Sequence, residues 1–211
     1  MSIYFLLLLI MVILLYEGII SSLVNAPKKI RILSAMALVL MTFRYIALII
    51  LFIVKNQSYL YLLKPVVYAN LLCIPLCGVL SVHIFAKNNK IKLKKILIIC
   101  TMLCIAYCIV IYKSAININI SNICGYTIEL QLESYCYIVM LIINSIFAIK
   151  GIQLFNKTYS NKIGSVLIII SSCITVISLL LTSINTNDLW LLLGDISWII
   201  TLDYSLRKFK K

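Results

Sequence analysis

Acidic side chains are scarce in this chain: six Asp and Glu stand against nineteen Lys and Arg, and there is a single histidine. One histidine excludes the histidine pair of an HExxH zinc protease, and no GxSxG elbow is present for a serine hydrolase. Charge of either sign makes up only 12% of the 211 residues while 64% are hydrophobic. That excludes a soluble globular domain, which needs a polar exterior to stay dispersed. Prolines and glycines number only three and six, and no Pro-, Gly- or Ser-rich linker or internal repeat divides the chain. The simplest organisation is a single integral membrane helical domain over residues 1–211.

What is present is hydrocarbon in long runs. Charges cluster and leave apolar stretches of about 17–25 residues, the length that crosses roughly 30 Å of hydrocarbon as helix. The runs predict spans at 3–24, 32–54, 65–86, 96–112, 135–155, 164–184 and 189–206. The expected fold is an all-α polytopic membrane protein, a seven-transmembrane-helix bundle. Six spans is the alternative, because the last segment is the shortest and most polar. The opening "MSIYFLLLLIMVILLYEGIISSLVNA" lacks a basic leading region and continues too far for a cleaved signal peptide, so it reads as a retained first span.

Basic residues concentrate in alternate connections: Lys28, Lys29 and Arg31; Lys87, Lys90, Lys92, Lys94 and Lys95; Lys157 and Lys162; and the tail Arg207, Lys208, Lys210 and Lys211. The intervening connections hold Lys55 and Lys113, together with Glu129, Glu133 and Asp188. By the positive-inside rule the rich set is cytoplasmic, which puts the N-terminus outside and the C-terminus inside the plasma membrane. A seventh segment that did not cross would leave "RKFKK" outside and break this alternation. The net charge of +13 is therefore a topology signal and not a nucleic-acid footprint. The polybasic "KNNKIKLKK" reads the same way, with anionic lipid as its alternative partner.

Between spans four and five, "SAININISNICGYTIELQLESYC" alternates apolar and polar residues in two runs. Period two predicts strands, and the two runs predict a short extracytoplasmic β-hairpin over 115–133. A three-residue loop of Ile123, Cys124 and Gly125 would pair Ile120 with Ile128, Ile118 with Leu130 and Ile116 with Leu132, with glycine at the left-handed loop position. Two strands are not stable alone in water, so the Ile/Leu face must rest on the bundle, the membrane interface or a partner. Cys124 and Cys136 are expected to be exposed, and the hairpin holds them too far apart for a disulfide. The other cysteines include a Cys73, Cys77 pair on span three and a Cys100, Cys104, Cys108 stripe on span four. They read as small hydrophobes, with no metal or cofactor expected, since no second histidine or CxxC completes a site.

Intramembrane charge supplies the candidate site. Arg44 falls within span two, where a lone charge costs several kcal/mol, at least about 2.5–3.5, and must face inward to a partner. Asp195 lies at a similar depth in span seven and Glu17 somewhat deeper in span one. Neighbouring spans one, two and seven in a simply wound ring would bring Glu17, Arg44 and Asp195 together as a triad. That triad reads either as a buried ion pair fixing helix register or as a ligand- or ion-binding site. Lys150 can snorkel and His83 is interfacial. Ser171, Thr175, Ser178 and Thr182 form one face of span six, suited to helix packing with pore lining as the alternative. Pro75 is expected to kink span three.

No enzyme is expected. "LLGD" lacks the first glycine of a GxGD aspartyl protease, and Cys77 and His83 have no third orienting group. The last span offers no lysine for a retinal Schiff base. Two functions remain: binding or transport of a small solute or ion through the polar core, or a stand-alone membrane sensor or partner-regulating module. Beyond the lipid bilayer, a partner membrane or cytoplasmic protein is expected in the second case, since no kinase or response domain is appended.

Overall fold

The computed structural model describes residues 3–53, 60–86, 93–121, 125–158, 160–185 and 189–208. In hydrocarbon every backbone N–H and C=O must be satisfied within its own segment, so long apolar runs become helices. Among the described residues, seven helical segments are long and apolar enough to cross a membrane: Ile3–Asn25, Lys28–Ile53, Leu62–Ala86, Ile96–Lys113, Glu133–Phe155, Lys162–Ile184 and Leu189–Arg207. The complete elements are α1 (Ile3–Asn25), α2 (Lys28–Ile53), α3 (Leu60–Val67), α4 (Asn70–Ala86), α5 (Leu93–Lys113), β1 (Ile116–Ser121), β2 (Gly125–Leu130), α6 (Glu133–Phe155), α7 (Lys162–Asn185) and α8 (Leu189–Arg207). Between α1 and α2, Pro27 cannot continue a helix but suits a helix start, and its carbonyl accepts the Arg31 amide at 2.8 Å.

The seven segments do not form the simple ring expected from the sequence. Instead α4 lies inside, packed against α2, α5, α6, α7 and α8, while α1 closes on α2 and α8. The third span is 67% buried, whereas α5, which leans chiefly on α4, is 11% buried. Small residues explain the central place of α4. Cys73, Cys77 and Ser81 are fully enclosed, and at Gly78 an added Cβ would stand 2.3 Å from the Phe147 ring of α6. The hydroxyl face of α7 packs in the same way. Ser171, Thr175, Ser178 and Thr182 are all buried, and each hydroxyl bonds a carbonyl one turn back in its own helix.

The third span is two helices, not the single one expected over 65–86, and the break falls at Tyr68–Ala69 rather than at Pro75. Pro65 inside α3 lacks the N–H that would support the preceding turn. Past it the ladder tightens: Ala69 bonds Val66, Leu71 bonds Tyr68 and Leu72 bonds Ala69, each three residues back. A regular α-helix would have sent the Leu71 amide to the Val67 carbonyl. That carbonyl is thereby released for another donor.

β1 and β2 pair antiparallel with Ile116 opposite Leu130, Ile118 opposite Ile128, Ile120 opposite Tyr126 and Ser121 opposite Gly125. This corrects the expected register by two residues. Because the slip is even, like positions still oppose one another. Its cause lies at the far end, where α6 begins at Glu133 and takes Leu132 as its N-cap, leaving Leu130 as the last strand residue. Gly125 is then a strand residue and not a loop residue, while the turn with Ile123 and Cys124 lies outside the described residues. The hairpin rests on the bundle: β2 packs against α2 and α3, and Ile128 and Leu130 belong to the core. Cys136, expected to be exposed, is a buried free thiol in the first turn of α6.

Candidate functional site

Beneath the hairpin, α2 and α8 place Arg44 and Asp195 in direct contact, the guanidinium Nη1 on carboxylate Oδ2. Both side chains are buried, at 6% and 0% exposure. The same Oδ2 accepts the Tyr45 hydroxyl at 2.6 Å, and the guanidinium lies 5.3 Å from the centre of the Tyr45 ring. Arg44 Nε donates at 2.8 Å to the Val67 carbonyl released by the break between α3 and α4. One buried cation thus joins α2, the broken third span and α8. Gly194 admits this approach of α8 to α7: a Cβ there would stand 2.9 Å from Thr175 Cγ2.

The sequence reading made Glu17 a third member, and the structure corrects that. Glu17 bonds Arg207, the last residue of α8, in a pair exposed at 54% and 52%. Arg207 also holds Asp203 at 2.8 Å. α1 and α8 run in the same direction, and Glu17 stands fourteen positions into α1 whereas Asp195 stands six into α8. At about 1.5 Å per residue that offset is roughly 12 Å of depth, so the nearer cation is at the opposite, basic end.

Five residues not picked out from sequence complete the site: Tyr45, Tyr68, Asn70, Glu133 and Tyr137. The Tyr68 hydroxyl donates to the Ile128 carbonyl at 2.5 Å and accepts the Leu130 amide at 3.2 Å, so it links the broken helix directly to β2. Glu133, at the start of α6, accepts from Leu130 N–H at 3.3 Å and from the Tyr137 hydroxyl. Lys64 reaches sideways to the Ser114 carbonyl at 2.5 Å. Asn70 opens α4 and is buried. The usable sequence signals were an amide and three phenols inside apolar runs, which carry a cost in hydrocarbon unless partnered.

These groups enclose a cavity of about 40 Å³ lined by Tyr4, Arg44, Tyr68, Asn70, Glu133 and Tyr137 and roofed by Ile128 of the hairpin. A second cavity of about 10 Å³ shares Asn70 and Tyr137 and adds Asn144, Thr175, Ser178 and Asp195. Two buried oxygens at this junction, Asn70 Oδ1 and Asp195 Oδ1, have no hydrogen-bond donor among the described residues. Toward the basic end the core closes. Asn144 Oδ1 accepts both Thr175 Oγ1 at 2.8 Å and Trp198 Nε1 at 3.1 Å, and Trp198 meets Phe147 edge to face at 5.4 Å.

Seven apolar helices of spanning length around a polar centre are the architecture of a multi-pass membrane protein. Searches against protein-family models and against curated proteins returned no match for the chain.

Proposed function

We propose that the protein binds a small monovalent cation in the polar cavity under the hairpin, as the binding step of ion or small-solute transport. One observation carries this reading: two buried acceptor oxygens, Asn70 Oδ1 and Asp195 Oδ1, find no donor among the described residues and lie on one small cavity beside the Arg44–Asp195 pair. Arg44 offsets Asp195, and Glu133 lines the larger cavity beside Asn70. A cavity of about 40 Å³ holds about three waters at most, which favours an ion over a larger solute. In this reading the hairpin faces outward, the basic end faces the cytoplasm of a cell whose plasma membrane holds the protein, and the closed layer at Trp198 is the inner gate. The reading involves no bond-making chemistry.

The second reading, a membrane sensor, has its own support. Tyr68 ties the hairpin to the broken helix, so an event at the roof reaches Arg44 through the Val67 carbonyl. One pair of experiments separates the two. The purified protein is heated in sodium, potassium, ammonium or choline chloride at equal ionic strength. A small cation is expected to raise the melting temperature relative to choline, and Asn70→Leu or Glu133→Gln to remove the difference. Identical melting in all four salts would end the cation reading. Flux of the stabilising ion into proteoliposomes then marks transport, and stabilisation without flux marks a sensor.

A further inference from the structure

α5 touches the bundle mainly along α4, and a crevice runs between it and α6 with α4 as the floor. Toward the basic end it widens to about 430 Å³, between Pro75, Val79 and Val82 of α4, Ile96 and Ile99 of α5, and Phe147 of α6. Toward the hairpin it continues as about 190 Å³ between Ala106 and Val110 of α5 and Tyr135 and Val139 of α6. Leu103 and Ile143 border both parts, so the two are one slot. From Ile96 to Val110 it follows α5 for about 21 Å at 1.5 Å per residue. That exceeds the roughly 15 Å of a single leaflet's hydrocarbon.

The wider end has a polar rim of one sign. Lys150 and Lys157 of the α6 end and His83 of α4 border it, with Gln153 between the lysines and bonded to Lys150 at 3.0 Å. His83 Nδ1 is enclosed and has no hydrogen-bond partner among the described residues. Among the described residues, no acidic side chain lines either part of the slot. An apolar slot one acyl chain long, open sideways and rimmed by cations at one end, has the shape and charge of a lipid seat.

We propose that this slot holds one anionic phospholipid of the surrounding bilayer, an acyl chain between α5 and α6 and the phosphate among His83, Lys150 and Lys157. The lipid adds a neighbour to α5, which leans chiefly on α4. The seat is separate from the polar cavity and does not depend on what that cavity binds.

The full chain is reconstituted in nanodiscs of phosphatidylcholine containing phosphatidylglycerol, and retained lipid is counted by native mass spectrometry. One phosphatidylglycerol per chain is expected to be kept in preference to phosphatidylcholine. Lys150→Gln with Lys157→Gln is expected to cut that preference about fivefold per lysine while a chain still occupies the slot. Leu103→Trp, which fills the waist, is expected to remove bound lipid of either headgroup. Lys28→Gln with Lys29→Gln, at the same end but away from the slot, is expected to leave the preference intact. Equal retention of both lipids, or the same loss from the Lys28/Lys29 variant as from the Lys150/Lys157 variant, overturns the proposal. A Leu103→Trp variant that does not fold leaves the two lysine variants to decide.

Discussion

Asp195 is the residue on which the polar centre depends. Its Oδ2 answers a guanidinium and a phenol together, and its Oδ1 answers nothing among the described residues. Removing the carboxylate strands Arg44 at 5% exposure, and an unpaired buried charge costs about 3–5 kcal/mol. Asp195→Ala is therefore expected to lower the melting temperature of the purified protein sharply. Arg44→Leu with Asp195→Leu should recover most of the loss, because an apolar pair needs no partner. Equal damage from the single and double changes would mean that the pair acts through something other than its charge. The exposed Glu17–Arg207 pair offers the contrast, since ion pairs of that kind contribute about 0–1 kcal/mol. A rule that intramembrane charges seek partners was enough to join Arg44 to Asp195 from sequence. The same rule misassigned Glu17, because depth counted from span centres did not allow for Arg207 reaching back from the helix end.

Among the elements, the hairpin and the broken third span act as one unit through Tyr68. Its hydroxyl makes two bonds to β2, and a buried polar group left without its partner costs about 1–3 kcal/mol. Tyr68→Phe is expected to speed hydrogen exchange at the Leu130 amide and along β2 while leaving α7 and α8 protected; unchanged exchange in β2 would show that the apolar contacts of Ile128 and Leu130 alone hold the lid. Alternation of Ile116, Ile118 and Ile120 with asparagines was sufficient to locate the strands. It could not choose between registers two residues apart, since both keep like positions opposed. The choice was made by Glu133, whose helix starts early and withdraws Leu132. The break at Tyr68–Ala69 was hidden for a different reason. Residues 65–86 read as one unbroken apolar run, and the more conspicuous Pro75 is absorbed within α4, while Pro65 nearer the end precedes the break.

At the scale of the molecule, the hairpin and the basic connections lie at opposite ends of one bundle, which makes orientation directly measurable. In a background without the native cysteines, Glu129→Cys at the hairpin and Lys157→Cys at the α6 end are placed one at a time. An impermeant thiol reagent added to intact cells is expected to label the first and to reach the second only after permeabilisation. The reverse pattern would invert the proposed topology. Composition and charge clustering were enough to count the helices, because hydrocarbon length and interface charge leave a one-dimensional record. Which helix stands in the middle leaves none, and only the small side chains of Cys73, Cys77 and Gly78 hinted at α4. The central ion pair also sets a timetable for biosynthesis. Its partners are 151 residues apart, in the second and last spans. At about 5–20 residues per second the guanidinium waits roughly 8–30 s for its carboxylate. A nascent chain must therefore carry an unneutralised arginine through the emergence of five more spans, and a product cut short before Asp195 would retain it for good, a mark by which membrane quality control could tell unfinished chains from finished ones.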